Sequence, residues 1–394
     1  MTLRILVVHN RYRSAFPSGE NQVVDEQVTM LRAAGIEVET YFRSSDEIPD
    51  LPLLERVALP LRPIHSPKDT RQLREVMTSF RPSLMHLHNP YPLISPGVIR
   101  TAARAGVPIV QTVHNYRHAC AAGTLFRAGR QCSVCVTTRL PWPAVAHGCF
   151  RGSRAQSLAM AAASLHHRAT WRLVSRFLAV SSFVADWLTD FGVPADRVSV
   201  LPNALPDPGP PRSLGEGFLF AGRLDPSKGV RLILDAWDRA GVGDTTSLAI
   251  AGDGPDRTLV EQAPSQYRGV RYLGLLSPER VGLAMVATAV TVVPSISPET
   301  FGRTAVEAFA RGRPVLATTV GALGSVVDDQ VGWTSPPEPA ALAERLALAC
   351  DLRAAAAKAR VARHRYEQRF APNLIIDRLV ETYTNVLWER RSRR

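Results

Sequence analysis

The segment Pro294–Pro314 reads PSISPETFGRTAVEAFARGRP and follows a β-branched run, Val290–Val293. Pro294 ends that run, because proline gives up a ladder donor, and helix-forming sequence resumes near Phe301. The pattern is strand, loop, helix. Thr300 is the expected N-cap, Val306, Phe309 and Ala310 have the spacing of one buried stripe, and Gly312 with Pro314 marks the stop. Two carboxylates punctuate the unit, Glu299 in the loop and Glu307 on the second turn. The N–H groups of Phe301, Gly302 and Arg303 at the helix start would favour an anion, and Gly302 lets a ligand approach the backbone.

A carboxylate beside an anion site suits a ligand that carries both phosphates and hydroxyls, as a sugar nucleotide does. Glu299 would accept from sugar hydroxyls and Glu307 from a ribose diol, while Thr300, Phe301 and Gly302 would flank the phosphate. Two glutamates in E-x7-E spacing are ordinary helix-entry residues when they stand alone, so the context decides. Upstream, FLFAGRLDPSKGV (218–230) sets Arg223 and Lys228 in a turn after the strand Phe218–Ala221 and before a helix. Two cations can converge there on one diphosphate and neutralise charge on a leaving group. LAIAGDGP (248–255) is a further strand end, without the glycines of a dinucleotide fingerprint.

PSISPETFGRTAVEAFARGRPV, AVSSFVADWLTDFGVPADRVSVLPNAL, FLFAGRLDPSKGV and LAIAGDGP together resemble the retaining GT-B glycosyltransferases of family 4, in the family's order and over most of the chain. The resemblance implies an α/β chain of two Rossmann-like, doubly wound parallel-sheet domains facing across a cleft, the donor held mainly by the second and the acceptor by the first. It implies transfer of a sugar from a nucleotide diphosphate sugar, UDP- or GDP-linked, to a hydroxyl of a glycan, a lipid-linked saccharide or a small natural product. Retention would need no metal cofactor and no enzymic nucleophile. Arg223 and Lys228 match the diphosphate-binding pair, Glu299 the sugar contact, Glu307 the ribose contact, and His114 a histidine near the donor sugar from the opposite domain. Leu275, after the strand Val270–Leu273, falls where the family's nucleobase stacks. The family's paired glycines of the first loop are here Ser18-Gly19, so only Gly19 carries over, within Pro17–Glu20.

The rest of the chain is read around these motifs. At 394 residues two domains are expected: 1–203, a proline- and glycine-rich linker 204–216, 217–372, and a last helix from 373 that crosses back to the first domain. Arg4–Val8, Val38–Phe42, Leu84–Leu87, Pro108–Thr112, Phe177–Val180 and Val198–Leu201 read as strands of the first domain, with a helix from Gln22 to Ala34. Leu51–Pro67 reads as irregular, Ser153–Arg176 as one long basic helix, Ser182 as an N-cap, and the tail Glu389–Arg394 as disordered. His86 and His88 alternate, so one would face the cleft; Asn89 and Tyr91 are candidate acceptor contacts. Cys120, Cys132, Cys135 and Cys149, in an insertion at about 118–150, have the count of an all-cysteine zinc site, with His147 as a substitute ligand. A structural zinc and four unligated thiols both remain open.

With 45% hydrophobic and 21% charged residues the composition is that of a globular chain, and no stretch approaches a membrane span, so a cytoplasmic location is expected. A net charge of +12 points to acidic partners, among them nucleotide diphosphates and an anionic membrane surface touched by the basic helix or the tail. No nucleic-acid motif accompanies the charge. A sugar-nucleotide epimerase of the same architecture and a non-catalytic basic binding module are the alternatives.

Overall fold

The structure is a computed structural model and describes residues 3–15 and 18–392. It divides into two compact units: one takes the chain up to Leu125, Ser133–Ala204 and Pro372 onward, the other Phe126–Cys132 and Leu205–Ala371. Each unit is built on a six-stranded sheet in which every pairing is parallel.

The first sheet holds β1 (Arg4–Arg11), β2 (Glu37–Ser44), β3 (Leu84–Leu87), β4 (Ile109–Val113), β5 (Arg176–Ala179) and β6 (Val198–Val200), in the order β2-β1-β3-β4-β5-β6. The second holds β7 (Phe218–Ala221), β8 (Leu248–Ala251), β9 (Val270–Gly274), β10 (Val290–Val293), β11 (Val315–Thr318) and β12 (Gly332–Ser335), in the order β9-β8-β7-β10-β11-β12. The central strands are buried throughout, as continuous apolar runs covered on both faces require. Strand order reverses between β1 and β3 in one sheet and between β7 and β10 in the other. Ligands of open parallel sheets bind beyond the carboxyl ends of strands at such points.

The last helix, Pro372–Ser392, belongs to the first unit, where Ile375, Ile376, Leu379, Tyr383 and Val386 enter the same core as Ile5, Val7, Val24 and Leu31. Each such side chain contributes about 2 kcal/mol of burial. The helix runs through Ser392, which corrects the expected disordered tail: Glu389 accepts from Arg176 at 2.7 Å, and Arg378 donates to the Val200 carbonyl at 2.9 Å. Arg393 and Arg394, the end of that expectation, lie outside the described residues.

Other local expectations also change. The first helix starts at Gly19, because the Ser18 side chain accepts from the Asn21 N–H; Pro17 lies outside the described residues. Ser181, one residue before Ser182, caps the helix Ser182–Phe191. The single helix expected over 153–176 is two, Arg154–His166 and Arg168–Trp171, because His167 leaves the helix to donate from Nε2 to the Pro63 and Ile64 carbonyls at 3.1 and 2.9 Å. Leu53–Val57 and Leu59–Leu61 form short helical turns in the stretch expected to be irregular.

Candidate active site

In the second sheet the loops after β7 and β10 flank the strand-order reversal, and they are the two motif segments. The turn Gly222–Gly229 docks on the loop that follows Val293: Ile296 and Ser297 donate from their backbone to the Ser227 carbonyl at 2.9 and 3.2 Å. Gly229 makes this approach. It has φ 74°, and a Cβ there would stand 1.8 Å from the Pro294 carbonyl oxygen. Asp225 caps the turn Pro226–Lys228 by accepting from the Ser227 N–H at 2.9 Å, and it pairs with Arg223. Burial works to raise the Asp225 carboxyl, but Ser227 and the Arg223 charge outweigh it and hold it below the usual range.

Folding the turn onto the loop brings Lys228 Nζ to 2.6 Å from Glu299 Oε1, and Ser295 donates to the same oxygen at 2.6 Å. Desolvation pushes the Glu299 carboxyl up, yet the Lys228 charge and the two hydrogen bonds bring it below the ordinary glutamate range. The loop is fixed from behind: Glu299 O accepts from Ala322 N at 2.8 Å, and Thr318 Oγ1 donates to Ser295 O at 2.5 Å. Glu307 accepts from Arg303 Nε at 2.8 Å, one helical turn apart.

The helix of this motif is Arg303–Ala310, capped by Gly302 at φ 79°. Thr300 therefore does not cap it. The left-handed conformation that starts the helix suits a glycine, and Thr300 stands before that bend. Val306, Phe309 and Ala310 are fully buried. Phe301 is also buried, edge-on to Phe370 with ring centroids 5.9 Å apart, so its backbone is what a ligand could meet. Leu275 follows the end of β9 and is 61% exposed. The structure thus brings Arg223, Lys228 and Glu299 onto two interlocked loops, with Thr300–Gly302 and Glu307 following directly in the chain. Asp225 and Ser295 are the members sequence reasoning missed, although Asp-Pro-Ser is a legible capped turn.

Gly19, Asn89, Tyr91 and His114 belong to the first unit, at the carboxyl ends of β1, β3 and β4. A small cavity of about 10 Å³ is lined there by Glu20, His88, Tyr91, His114, Asn115 and Arg117. His114 Nε2 lies 2.9 Å from His88 Nδ1, with the two rings stacked. His86 bridges Thr112 at 2.8 Å and Tyr383 at 2.6 Å. Burial lowers His9 to about 4 and His86 to about 3; burial, followed by the neighbouring histidines, lowers His114 to about 3. The cluster is neutral.

His86 and His88 are both buried, with their ring centroids 4.3 Å apart because residues two apart along a strand share a face, and only His88 lines the cavity, as expected of one of the pair. Asn89 is no free acceptor contact, because its amide bonds Asn10 O, Tyr91 O and Tyr91 N at 3.0–3.1 Å and shapes the turn. Among the described residues no three His, Cys, Asp or Glu side chains gather to hold a metal. Cys135 and Cys149 pack with Tyr91, Ala144 and Met160, while Cys132 falls with the second unit and Cys120 with the first. The four-cysteine cluster is therefore not assembled, and His147 completes no site. Among the described residues no helix is long and apolar enough to cross a membrane.

Residues 215–351 match the profile described as Glycosyl transferases group 1, and residues 18–204 match the Glycosyl transferase 4-like domain. A phosphatidyl-myo-inositol mannosyltransferase of Mycobacterium leprae is 38% identical over 161 residues, 39% of this chain and 41% of that protein. Glycogen synthase of Mycobacterium tuberculosis is 34% identical over 167 residues, 41% of this chain and 40% of its own. The chain thus matches about two fifths of the length of these curated relatives. Sucrose-phosphate synthase from Thermosynechococcus elongatus superimposes with a TM-score of 0.72 at 18% identity, covering 98% of this chain and 100% of its own. Anabaena HepE, solved with UDP, gives 0.64 at 18% identity over 97% and 100%. These structures show the GT-B fold. With both profiles matched in order along one chain, this protein belongs to the group 1 glycosyl transferases.

Proposed function

We propose that the protein transfers a hexosyl group from a nucleoside diphosphate sugar to an acceptor hydroxyl with retention of anomeric configuration. The observation that carries the reading is the Lys228–Glu299 ion pair at the strand-order reversal of the second sheet. The relatives' names, a mannosyltransferase and a glycogen synthase, support a hexosyl donor, and the UDP of HepE supports a nucleoside diphosphate.

The paired charges fit a two-part ligand. A diphosphate entering over Gly229 draws Lys228 and Arg223 onto its oxygens, away from Glu299 and Asp225, and Glu299 is then free to accept from the sugar hydroxyls. Thr300, Phe301 and Gly302 offer backbone to the phosphate, Glu307 the ribose contact, and Leu275 an exposed apolar edge near the base. His114 is a neutral imidazole for a sugar hydroxyl, and Gly19 opens its helix beside that loop. In the reaction the anomeric carbon–phosphate oxygen bond breaks, a bond to the acceptor oxygen forms on the same face, and the acceptor proton passes to the departing phosphate. Lys228 and Arg223 stabilise the charge that develops on the leaving group, and the loops align the acceptor.

Thermal shifts with UDP, GDP, ADP and TDP identify the base, since a ligand of the native state raises its stability by mass action. In Lys228→Ala the selective shift should fall away and turnover should drop by about a hundredfold or more. Near-normal turnover in a folded Lys228→Ala protein would refute the assignment.

A further inference from the structure

The charge of this chain is not spread along it. Between Glu75 and Asp186 there is no Asp, Glu or Lys and there are twelve arginines, so that stretch carries the whole net charge of +12 and the residues on either side of it balance. Part of the stretch folds into a helical layer on the first unit. The helix Arg154–His166 packs against Trp142–Ala146, against Arg168–Trp171 and against the turn Leu59–Leu61, which continues the short helix Leu53–Val57. His167 locks this junction through the Pro63 and Ile64 carbonyls. Ser157, Met160 and Ala163 of the long helix are buried, while Arg154, Leu158 and Leu165 return together on an exposed stripe at helical spacing. The layer is apolar where it meets water. Leu53, Leu54, Val57 and Leu61 are 61–85% exposed and Trp142 is 67% exposed, although leucine and valine are among the residues most often buried. Arg56, Arg139, Arg154 and Arg168 stand exposed on or beside these elements and, among the described residues, take part in no ion pair. Glu55, the one carboxylate on these elements, is matched by Arg62 and Lys68.

We infer that this layer docks on an anionic lipid bilayer, with the leucines and Trp142 entering the headgroup boundary and the arginines taking lipid phosphates. A lipid surface asks for both halves of the pattern. Exposed apolar side chains leave water there, guanidinium groups pair with phosphate oxygens, and tryptophan suits that depth. A nucleic acid would use the cations and leave the leucines in water. A second copy of the chain, meeting this face with its own, would set the arginines against like charge. The face lies apart from Lys228 and Glu299 in the chain and belongs to the other unit, so the inference goes beyond the transferase reading and stands without it.

The test uses the full chain. Co-sedimentation with vesicles of mixed phosphatidylglycerol and phosphatidylcholine, against pure phosphatidylcholine, compares the unaltered protein with three double variants. Arg154→Glu with Arg168→Glu reverses charge on the layer, Leu53→Ser with Leu54→Ser removes apolar surface, and Arg353→Glu with Arg360→Glu reverses two exposed arginines of the second unit. The unaltered protein should partition at least about tenfold more strongly onto the anionic vesicles, since each arginine at such a surface is worth about fivefold. Partitioning should fall about a hundredfold on reversal of Arg154 and Arg168, and about tenfold in the leucine variant. The second-unit control should stay within about twofold, because salt screens charges held away from the surface. All four proteins should share one thermal midpoint, as every altered side chain is exposed, and the arginine and leucine pairs each decide independently. Equal partitioning onto both vesicles, an equal loss in the control, or indifference to the leucine pair overturns the proposal. So does a DNA duplex bound as tightly as the anionic vesicles, or a leucine-dependent dimer in sedimentation velocity with no vesicle retention. Nucleotide binding should be the same in all four proteins, so a failure here leaves the transferase reading standing, and a failure to bind any nucleotide leaves the docking face standing.

Discussion

The two sheets reverse strand order at equivalent places, and their loops there are charged in opposite styles. In the second unit each cation has a carboxylate: Lys228 with Glu299, Arg223 with Asp225, Arg303 with Glu307. In the first, the floor is a neutral set of buried histidines, and the one carboxylate beside it, Glu20, is held by Tyr12 and Asn115 and faces the Arg117 charge. The difference teaches what each site asks of a ligand. Where charges are already paired, a ligand has to exchange partners, which favours one that supplies both an anion and hydroxyls in fixed order. Where the floor is neutral, a ligand meets hydrogen-bonding groups and has no ion pair to displace.

Breaking the exchange at Glu299 should have the largest effect. Glu299→Gln keeps the shape and removes the charge that holds Lys228 at 2.6 Å, and turnover should fall by about a hundredfold to a thousandfold. If the two residues act as one unit, the double variant Lys228→Ala/Glu299→Gln costs little more than the worse single change. Fully additive losses in steady-state kinetics would make them independent and dissolve the contrast between the units.

The histidine floor gives the first unit a pH dependence that the second lacks. His9, His86 and His114 sit at about 4, about 3 and about 3, against an ordinary value of 6.5. The unfolded chain therefore binds protons that the folded chain refuses. Stability is fully present above pH 6.5 and is lost as the pH falls from there towards the folded values. Between pH 7 and pH 5 each such group costs about 2 kcal/mol, so two acting together cost about 4. Urea unfolding followed at both pH values should show the midpoint falling, and replacing His86 with Gln should flatten that fall. An unchanged midpoint would mean that the cluster is open to water.

What the sequence allowed to be read follows the range of the forces involved. Strands and their ends were legible because burial on both faces writes continuous apolar runs, and the turn Asp225–Gly229 because a capped Asp-Pro turn is local chemistry. Lys228 and Glu299 could be named as ligands of one molecule through the resemblance, but their contact joins residues 71 positions apart and no periodicity encodes it. Ser295 was missed for a related reason, since its hydroxyl matters only once Glu299 turns back over it. Thr300 was misread because a good capping side chain was preferred to the glycine that could bend the backbone. The cysteines misled by count: spacing suggested a cluster that the ribbon Phe126–Arg127/Arg130–Gln131, which precedes Cys132, does not assemble.

Gly229→Ala tests the packing that makes the exchange possible. The new methyl would meet the Pro294 carbonyl at 1.8 Å at a φ of 74°, so the turn and the loop must part, at a cost of about 3 kcal/mol. Differential scanning calorimetry should show the loss, together with weaker nucleotide binding. Gly35→Ala in the first unit, also at positive φ but with nothing within 4 Å, should cost about 1 kcal/mol and leave nucleotide binding alone. Equal effects would mean that the docking of the turn on the loop contributes nothing beyond backbone strain.

The smallest expected effect falls at Ser18, where the chain departs from the paired glycines of its family. Its side chain accepts from the Asn21 N–H at 3.4 Å and starts the helix that presents Glu20 to the cavity. Ser18→Ala removes the cap and should cost about 1 kcal/mol; Ser18→Gly restores the glycine pair and should cost only a few tenths, because glycine leaves the helix end open to water. The two variants therefore separate the cap from the side chain's bulk. If the serine serves the helix alone, transfer rates with a fixed acceptor track stability and Ser18→Gly is nearly silent. If Ser18→Gly instead changes KM for the acceptor while the chemical unfolding midpoint holds, the first loop takes part in acceptor choice. The acceptor contacts would then reach the entrance of the first helix.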